Sequence, residues 1–429
     1  MIDDWKTYYL GEIGEIIGGG TPSTKVDVYY GGHISWITPR DLSGYSFRYI
    51  ETGDRNISEE GLKNSSARML PKGTVLFTSR APIGYVAIAE KDLCTNQGFK
   101  SIICNEKAHN EFIYYWLKLN KEVIEGYASG STFKEISGGV LKNIKILLPP
   151  VDEQISIAKI LSDLDSKIEL LQKQNETLEK IGQEIFKQWF VDFEFPNAEG
   201  KPYKSSGGRM VESELGEIPQ GWGTTKIIDL DVEVTDFIAN GSFASLKKGV
   251  SGIKDKEDYA LFLRNVDLKS NLKSKRFVDK NSYEFLKKSK LFGGEVIISN
   301  VADVGSVYLC PKLDKPMTLG NNQILIRNIK EIKYTNYLFL YFKYFQGKQS
   351  IKNITTGSAQ LKFNKTDFRN LDLVIPKNNK LHDFDKIFES LWDKLTINIF
   401  SIDLLEKSRD SLLPKLMTGK IRVPVEDRE

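Results

Sequence analysis

The chain spells one long segment twice, and no other feature restricts its fold as much. Residues 130–171 read GSTFKEISGGVLKNIKILLPPVDEQISIAKILSDLDSKIELL, and residues 357–400 read GSAQLKFNKTDFRNLDLVIPKNNKLHDFDKIFESLWDKLTINIF. At one offset of 227, Gly130 and Ser131 align with Gly357 and Ser358, Asn143 with Asn370, Pro149 with Pro376, Ile160 with Ile387, Leu164 with Leu391 and Lys167 with Lys394. Solenoid repeats run about 20–50 residues, so this unit is a whole domain. The repeat continues upstream with loop-length changes. Trp36-Ile-Thr-Pro-Arg-Asp-Leu42 answers to Phe262-Leu-Arg-Asn-Val-Asp-Leu268, and Thr95-Asn96-Gln97 to Asn321-Asn322-Gln323. The run 70–80 ahead of Gly84 answers to 292–300 ahead of Gly305, and Trp5 and Trp222 are candidate matching starts. A duplicated domain suits a chain that must touch two similar things at a set distance.

Each copy reads as mixed α/β. Val75-Leu-Phe-Thr, Tyr85-Val-Ala-Ile-Ala and Ile144-Lys-Ile-Leu-Leu in the first copy are short, β-branched and bounded by Gly, Pro or Asp, which predicts strands. Val296-Ile-Ile, Gln323-Ile-Leu-Ile and Leu371-Asp-Leu-Val-Ile repeat them, and helical spacing covers 111–125 and 334–345. After each copy, apolar residues step by four and three. Ile157, Leu161, Leu164, Ile168, Leu171, Asn175, Leu178, Gly182 and Ile185 form one heptad seam, on a helix expected over 152–190. Phe384, Phe388, Leu391, Leu395, Asn398, Ile402, Leu405, Arg409 and Leu412 form the other.

Asn175 falls at an a position and Asn398 at a d position. In an antiparallel pair a packs on d, so pairing the two asparagines sets Ile168 level with Leu405, Leu171 with Ile402 and Leu178 with Leu395. A buried asparagine costs stability but fixes register. The expected fold is therefore α/β (α+β): two similar domains separated by two long helices in an antiparallel coiled coil, with internal pseudo-two-fold symmetry. The alternative is that each helix packs on a partner protein. The expected boundaries are 1–150, first domain; 151–195, first helix; 196–221, a Gly-, Pro- and Ser-rich linker; 222–376, second domain; 377–429, second helix and tail.

Composition excludes more than it assigns. No apolar run approaches the roughly 18 residues of a membrane span, and MIDDWKTYYL lacks a signal-peptide layout. Cys94, Cys104 and Cys310 make neither a metal spacing nor a disulfide framework, which fits a reducing cytoplasm. His33, His109 and His382 are scattered. No metal, cofactor or catalytic cluster is expected. Gly18-Gly-Gly-Thr-Pro-Ser-Thr-Lys25 lacks the order of a phosphate loop, and Leu148 stands where the Asn of an Asn-Pro-Pro methyltransferase motif would be. Net charge is only +3, yet residues 247–290 hold 13 Lys+Arg against 6 Asp+Glu. Interleaved Tyr259, Phe262, Phe277, Tyr283 and Phe285 make this stretch a candidate phosphate-contacting surface, with a solvated lysine-rich face as the plainer reading.

Several of these motifs resemble one family. Pro149-Pro150-Val151-Asp152-Glu153-Gln154, preceded by Gly130-Ser131-Thr132 and followed by a heptad helix, is similar to the specificity subunit of type I restriction–modification systems. So are Lys187-Gln-Trp-Phe-Val-Asp-Phe, Ser206-Gly-Gly-Arg-Met-Val, Glu214-Leu-Gly-Glu-Ile-Pro and Leu413-Pro-Lys-Leu-Met-Thr-Gly-Lys-Ile-Arg-Val. The second half departs from the pattern, with Pro376-Lys-Asn-Asn in place of PPxxEQ. The resemblance implies a non-catalytic, DNA-binding specificity subunit in host defence. Two target-recognition domains would each read half of an interrupted DNA target, with the helices as ruler. Its partners would be double-stranded DNA, two adenine methyltransferase (modification) subunits and two restriction/translocase subunits, with no membrane. A helix of about 39 residues spans about 58 Å, enough to bridge major-groove sites roughly 34–36 Å apart. Rival readings are a stand-alone bipartite DNA-binding regulator and a fragment of a fused methyltransferase–endonuclease, the latter lacking the motifs it needs.

If the domains read different half-sites, residues common to both cannot distinguish them. Gly130-Ser131/Gly357-Ser358, Asn96-Gln97/Asn322-Gln323 and Gly73/Gly294 are then scaffold or phosphate contacts. Base reading falls to dissimilar loops with Arg, Lys, Asn and Gln, which match purine edges. The DNA-binding candidates are Lys25, Arg40, Arg80, Thr132 and Lys134 in the first domain. In the second they are Lys247, Lys248, Arg264, Asn300, Gln360 and Lys362.

Overall fold

A computed structural model describes residues 4–130, 134–330 and 332–424. The chain divides into two compact units. Unit 1 comprises residues 1–173 and 400–429, and unit 2 comprises residues 174–399.

In unit 1 the main sheet has five strands, in the order Gly14–Gly18, Lys100–Cys104, Val75–Ser79, Ile83–Ala89, Tyr49–Ile50. A three-stranded sheet lies beside it in the order Arg55–Ile57, Tyr30–Ile37, Cys94–Thr95. Val75–Ser79 is buried at every residue, the pattern of a strand covered on both faces. Helix Asn110–Leu119 presents Phe112, Ile113, Tyr115 and Leu117 to this core. The helical spacing over 111–125 resolves into two helices, because the chain breaks at Asn120 (φ −96°, ψ 13°), whose side chain caps Trp116 O at 2.9 Å. Trp5 is buried just ahead of Lys6–Tyr9, which pairs antiparallel with Lys145–Leu148 and closes the domain.

Unit 2 repeats the layout. Its main sheet runs Val232–Asp236, Gln323–Asn328, Val296–Ser299, Val307–Leu309. A second sheet runs Phe277–Val278, Ala260–Leu263, Met317–Leu319, Lys290–Leu291. Trp222, buried like Trp5, precedes Gly223–Lys226, which pairs antiparallel with Asp372–Ile375. The helix Thr335–Tyr344 matches the expected one, and Gln346–Ile354 adds a second with no clear signal in the sequence. The segment expected as a linker is folded into this unit. Its Tyr203 ring stacks at 4.6 Å on Phe195, just ahead of the segment, Phe195 stacks on Trp222 at 5.1 Å, and Ile218 is buried with them.

The two long helices are Val151–Phe190 and Asn378–Met417, 40 residues each. Every residue of both expected seams is buried or half-buried. Asp165 meets Arg409 in unit 1, and Asn175 meets Asn398 in unit 2. The PPVDEQ motif explains itself at the first helix's start. Gln154 Nε2 donates to Lys107 O (2.9 Å) and Pro149 O (3.0 Å), while its Oε1 accepts from His109 N (2.9 Å). Glu153 takes Trp5 Nε1 at 3.3 Å and Arg422 Nε at 2.7 Å. In the second copy, where the motif departs, Lys380 Nζ donates instead to Pro196 O at 2.7 Å.

Candidate nucleic-acid interface

Each unit gathers loops at one end of its main sheet, around a hairpin tip. In unit 1 the tip is 80–82, between Val75–Ser79 and Ile83–Ala89. Ser79 N donates to Gly98 O (2.7 Å) and Ser79 O accepts from Ile136 N (3.0 Å), which draws in loop 95–98 and residues 134–136. Asn96 N bonds Ile37 O and Gly20 N bonds Thr95 O, both at 2.9 Å, which adds turn 38–41 and loop 18–25. Gly19 is required there, since a Cβ would fall 2.1 Å from Asn96 O. In unit 2 the tip is 300–306, between Val296–Ser299 and Val307–Leu309. Asn300 N bonds Asn322 O (3.1 Å), Phe363 N bonds Asn300 O (3.1 Å), and Ala302 N bonds Leu361 O (2.9 Å). Gly320 N reaches Leu263 O at 2.7 Å and brings in the turn at Arg264. Four of the five segments joined in unit 1 thus have counterparts joined the same way in unit 2.

These junctions collect most of the sequence-derived candidates. Lys25, Arg40 and Lys134 are exposed on converging loops of unit 1, and Arg80 sits on the tip, 3.5 Å from Glu135. Thr132 lies outside the described residues. Gln360 and Lys362 are exposed on the 356–363 loop of unit 2. Asn300 is woven into the junction, its Nδ2 donating to Phe363 O at 3.3 Å. Arg264 is committed elsewhere. Its Nε and Nη2 grip both Asp267 oxygens at 2.9 and 2.6 Å, and Nη2 also reaches Ser274 Oγ at 3.1 Å. Asp267 does here what Asp41 does in unit 1, where it accepts Thr38 N at 2.7 Å and fixes the turn. Arg264 is therefore a turn-capping residue, and Arg40 is the exposed guanidinium.

Lys247 and Lys248 project into solvent from helix Phe243–Gly249, which packs on a small core of its own (Leu246, Phe262, Val278, Tyr283) rather than on the junction. The aromatics expected on a basic surface over 247–290 divide. Phe262, Phe277 and Tyr283 are core residues, because Ala260–Leu263 is a central strand buried on both faces. The lysines remain outside, Lys290 Nζ resting 4.2 Å from the Tyr283 ring centroid. Gln323, nearly fully buried with Nε2 on Leu263 O at 2.9 Å, is scaffold. Gly130 and Gly357 turn with φ of +111° and +98°. Asn398 Nδ2 donates to Asn175 Oδ1 at 2.9 Å. Among the described residues no group of three or more His, Cys, Asp or Glu could hold a metal ion, and no helix is long and apolar enough to cross a membrane.

The profile of the family described as the type I restriction modification DNA specificity domain matches residues 2–180 and 231–402. The type I restriction enzyme MjaIX specificity subunit of Methanocaldococcus jannaschii is 36% identical over 434 residues, covering 98% of this chain and 94% of that protein. The chain belongs to the type I restriction–modification DNA specificity family. Its function is DNA sequence specificity in a type I restriction–modification system. The HindI specificity subunit of Haemophilus influenzae is similar at 23% identity, over 98% of this chain and 100% of that one. Among solved structures, the S subunit of a type I restriction–modification system from M. genitalium shares the fold, with a TM-score of 0.61 at 16% identity over 96% of each chain. Two domains of repeated helix-and-sheet architecture are what a type I specificity protein presents.

Two residues of the helix pair escaped the sequence reading, though one stood on its seam. Asp165 accepts Tyr115 Oη at 2.7 Å and Arg409 Nη1 at 2.6 Å, a buried three-way contact between domain and both helices of unit 1. A charged residue at a seam position was the available signal.

Proposed function

We propose that each unit reads one half of an interrupted DNA target through the loops gathered at its hairpin tip. The target-recognition domains are 1–150 and 222–376. The long helices act as an antiparallel coiled-coil spacer, registered by Asn175 and Asn398. Two adenine methyltransferase subunits and two restriction/translocase subunits assemble on the chain, which performs no chemistry itself. The observation that carries this reading is the duplicated loop junction in a chain of this family, furnished with different side chains in each copy. Arg40, Arg80, Lys25 and Lys134 serve one half, and Asn300, Gln360 and Lys362 the other. Phosphate contacts set the register, and the few side chains that reach base edges supply specificity.

The test is to co-express the chain with its cognate methyltransferase and map methylated bases across the host genome. A single two-part motif with methylated adenine on both strands is the expected result. No methylation beside a demonstrably active methyltransferase would overturn the proposal.

Lys247 and Lys248 are assigned to the DNA backbone. Replacing both by Gln should flatten the log–log salt dependence of binding by about 0.9 per lost phosphate contact. An unchanged slope returns them to plain solvation. Replacing Asn175 and Asn398 together by Leu should preserve the fold and raise its melting temperature, since a lone polar seam residue trades stability for register. The same variant should self-associate or blur the target spacing. A strict monomer with unchanged spacing would refute the register role.

A further inference from the structure

The two hairpin tips carry opposite charge. The tip of unit 1 presents a cation, Arg80, with the acidic Glu135 as neighbour. The tip of unit 2 presents an anion, Asp303, with neighbours that are donors. Asn265 Nδ2 bonds Asp303 Oδ2 at 2.9 Å, and Lys269 Nζ lies 3.4 Å from the same oxygen. The Asp303 side chain remains 44% exposed, so the carboxylate can still be reached from solvent. The hydrogen bond from Asn265 holds its pKa below the usual carboxylate range, with Ser306 and Lys269 acting in the same direction. It is an anion at any physiological pH.

An anion on a DNA-reading face is costly, because it faces a polyanion. It is tolerated where it meets a hydrogen-bond donor. In the major groove the base-edge donors are the exocyclic amines, N4 of cytosine and N6 of adenine. Adenine sets the acceptor N7 beside N6, which would oppose the second carboxylate oxygen. Cytosine has no such acceptor. We infer that Asp303 is a specificity-determining residue that accepts a hydrogen bond from cytosine N4 in the half-site read by unit 2. Arg80, of opposite polarity, suits guanine O6 and N7 in the other half-site. This inference rests on the proposed DNA-reading role of the tips.

The experiment compares the methylation motif of the wild-type chain with those of Asp303→Asn and Asp303→Ala, each with the cognate methyltransferase. The wild-type motif should contain a cytosine in one half. Asp303→Ala should lose about tenfold discrimination at that position. Asp303→Asn, whose amide both donates and accepts, should admit adenine there. The other half-site and the spacer should not change. Unaltered motifs in both variants overturn the inference. So does loss of methylation at every sequence by both, which would make Asp303 a brace for the loop. A wild-type chain that directs no two-part methylation would instead refute the function proposed above.

Discussion

Arg409→Ala is expected to cost unit 1 about 3 kcal/mol, the lower end of the range for breaking one side of a buried ion pair. Asp165 is nearly fully buried and divides its two oxygens between Arg409 and Tyr115. Without the guanidinium the carboxylate keeps only a phenol hydroxyl, in a site closed to water. Arg409→Leu combined with Asp165→Asn should recover most of the loss. That pair leaves no buried charge and still gives Tyr115 an acceptor, and neutral replacement of a buried pair is often harmless. Urea denaturation measures the size of each effect. Hydrogen exchange should locate it in Asn110–Leu119 and the paired helix segments. A single variant as stable as the wild type would mean that the contact is solvated and contributes little.

Asp385→Asn is expected to stabilise unit 2, and only above acidic pH. Asp385 is buried on the second long helix and takes Asn336 Nδ2 at 2.9 Å. Burial lifts its carboxyl from 3.8 to about 6, with Glu389 adding to the rise and Asn336 and Lys333 opposing it. A pKa raised by folding means that the folded state prefers the protonated acid. The group's contribution is therefore fully present below pH 3.8 and is lost as pH rises through about 6. Two pKa units correspond to roughly 2–3 kcal/mol. Asparagine keeps the acceptor for Asn336 without the charge. Its advantage over the wild type should be near zero at pH 3.5, grow between pH 4 and 6 and level off above pH 7. A pH-independent gain would assign the effect to packing rather than to ionisation.

The repeat and the heptad seams were legible in the sequence because both are periodic signals that survive substitution. The offset that aligned Pro149 with Pro376 also located the strand before each long helix, and the seam positions are buried or half-buried throughout. The asparagine pair was legible for the same reason, since one polar residue in an apolar row must meet something polar. The candidate site was less so. Composition marked 247–290 as basic and aromatic, but it could not say that Phe262 and Phe277 lie on paired strands and point into the core. Nor could it tell the exposed Arg40 from Arg264, because only the fold brings Asp267 round to grip Arg264 on both oxygens. Asp303 lies outside the Arg, Lys, Asn and Gln that match purine edges, so its residue type gave no signal in the sequence. The folding of 196–221 onto Trp222 was hidden by its glycines and prolines, which suggest a tether and here form a hairpin, Met210–Val211 against Ile218–Pro219.

The division of the chain also sets an order of events during synthesis. Unit 2 is one uninterrupted stretch, whereas unit 1 needs residues 1–173 and 400–429 together. Leu413, Leu416 and Met417 complete the first domain's core, and Arg422 ties down Asp4 and Glu153. A ribosome adding about 5–20 residues per second makes the amino-terminal domain wait roughly 12–50 s for its last pieces. By then the domain synthesised second has everything it needs. A premature stop near residue 400 would consequently spare the nearby unit and leave the opposite end of the polypeptide unfinished, exposed to proteases at its first residues rather than at its last.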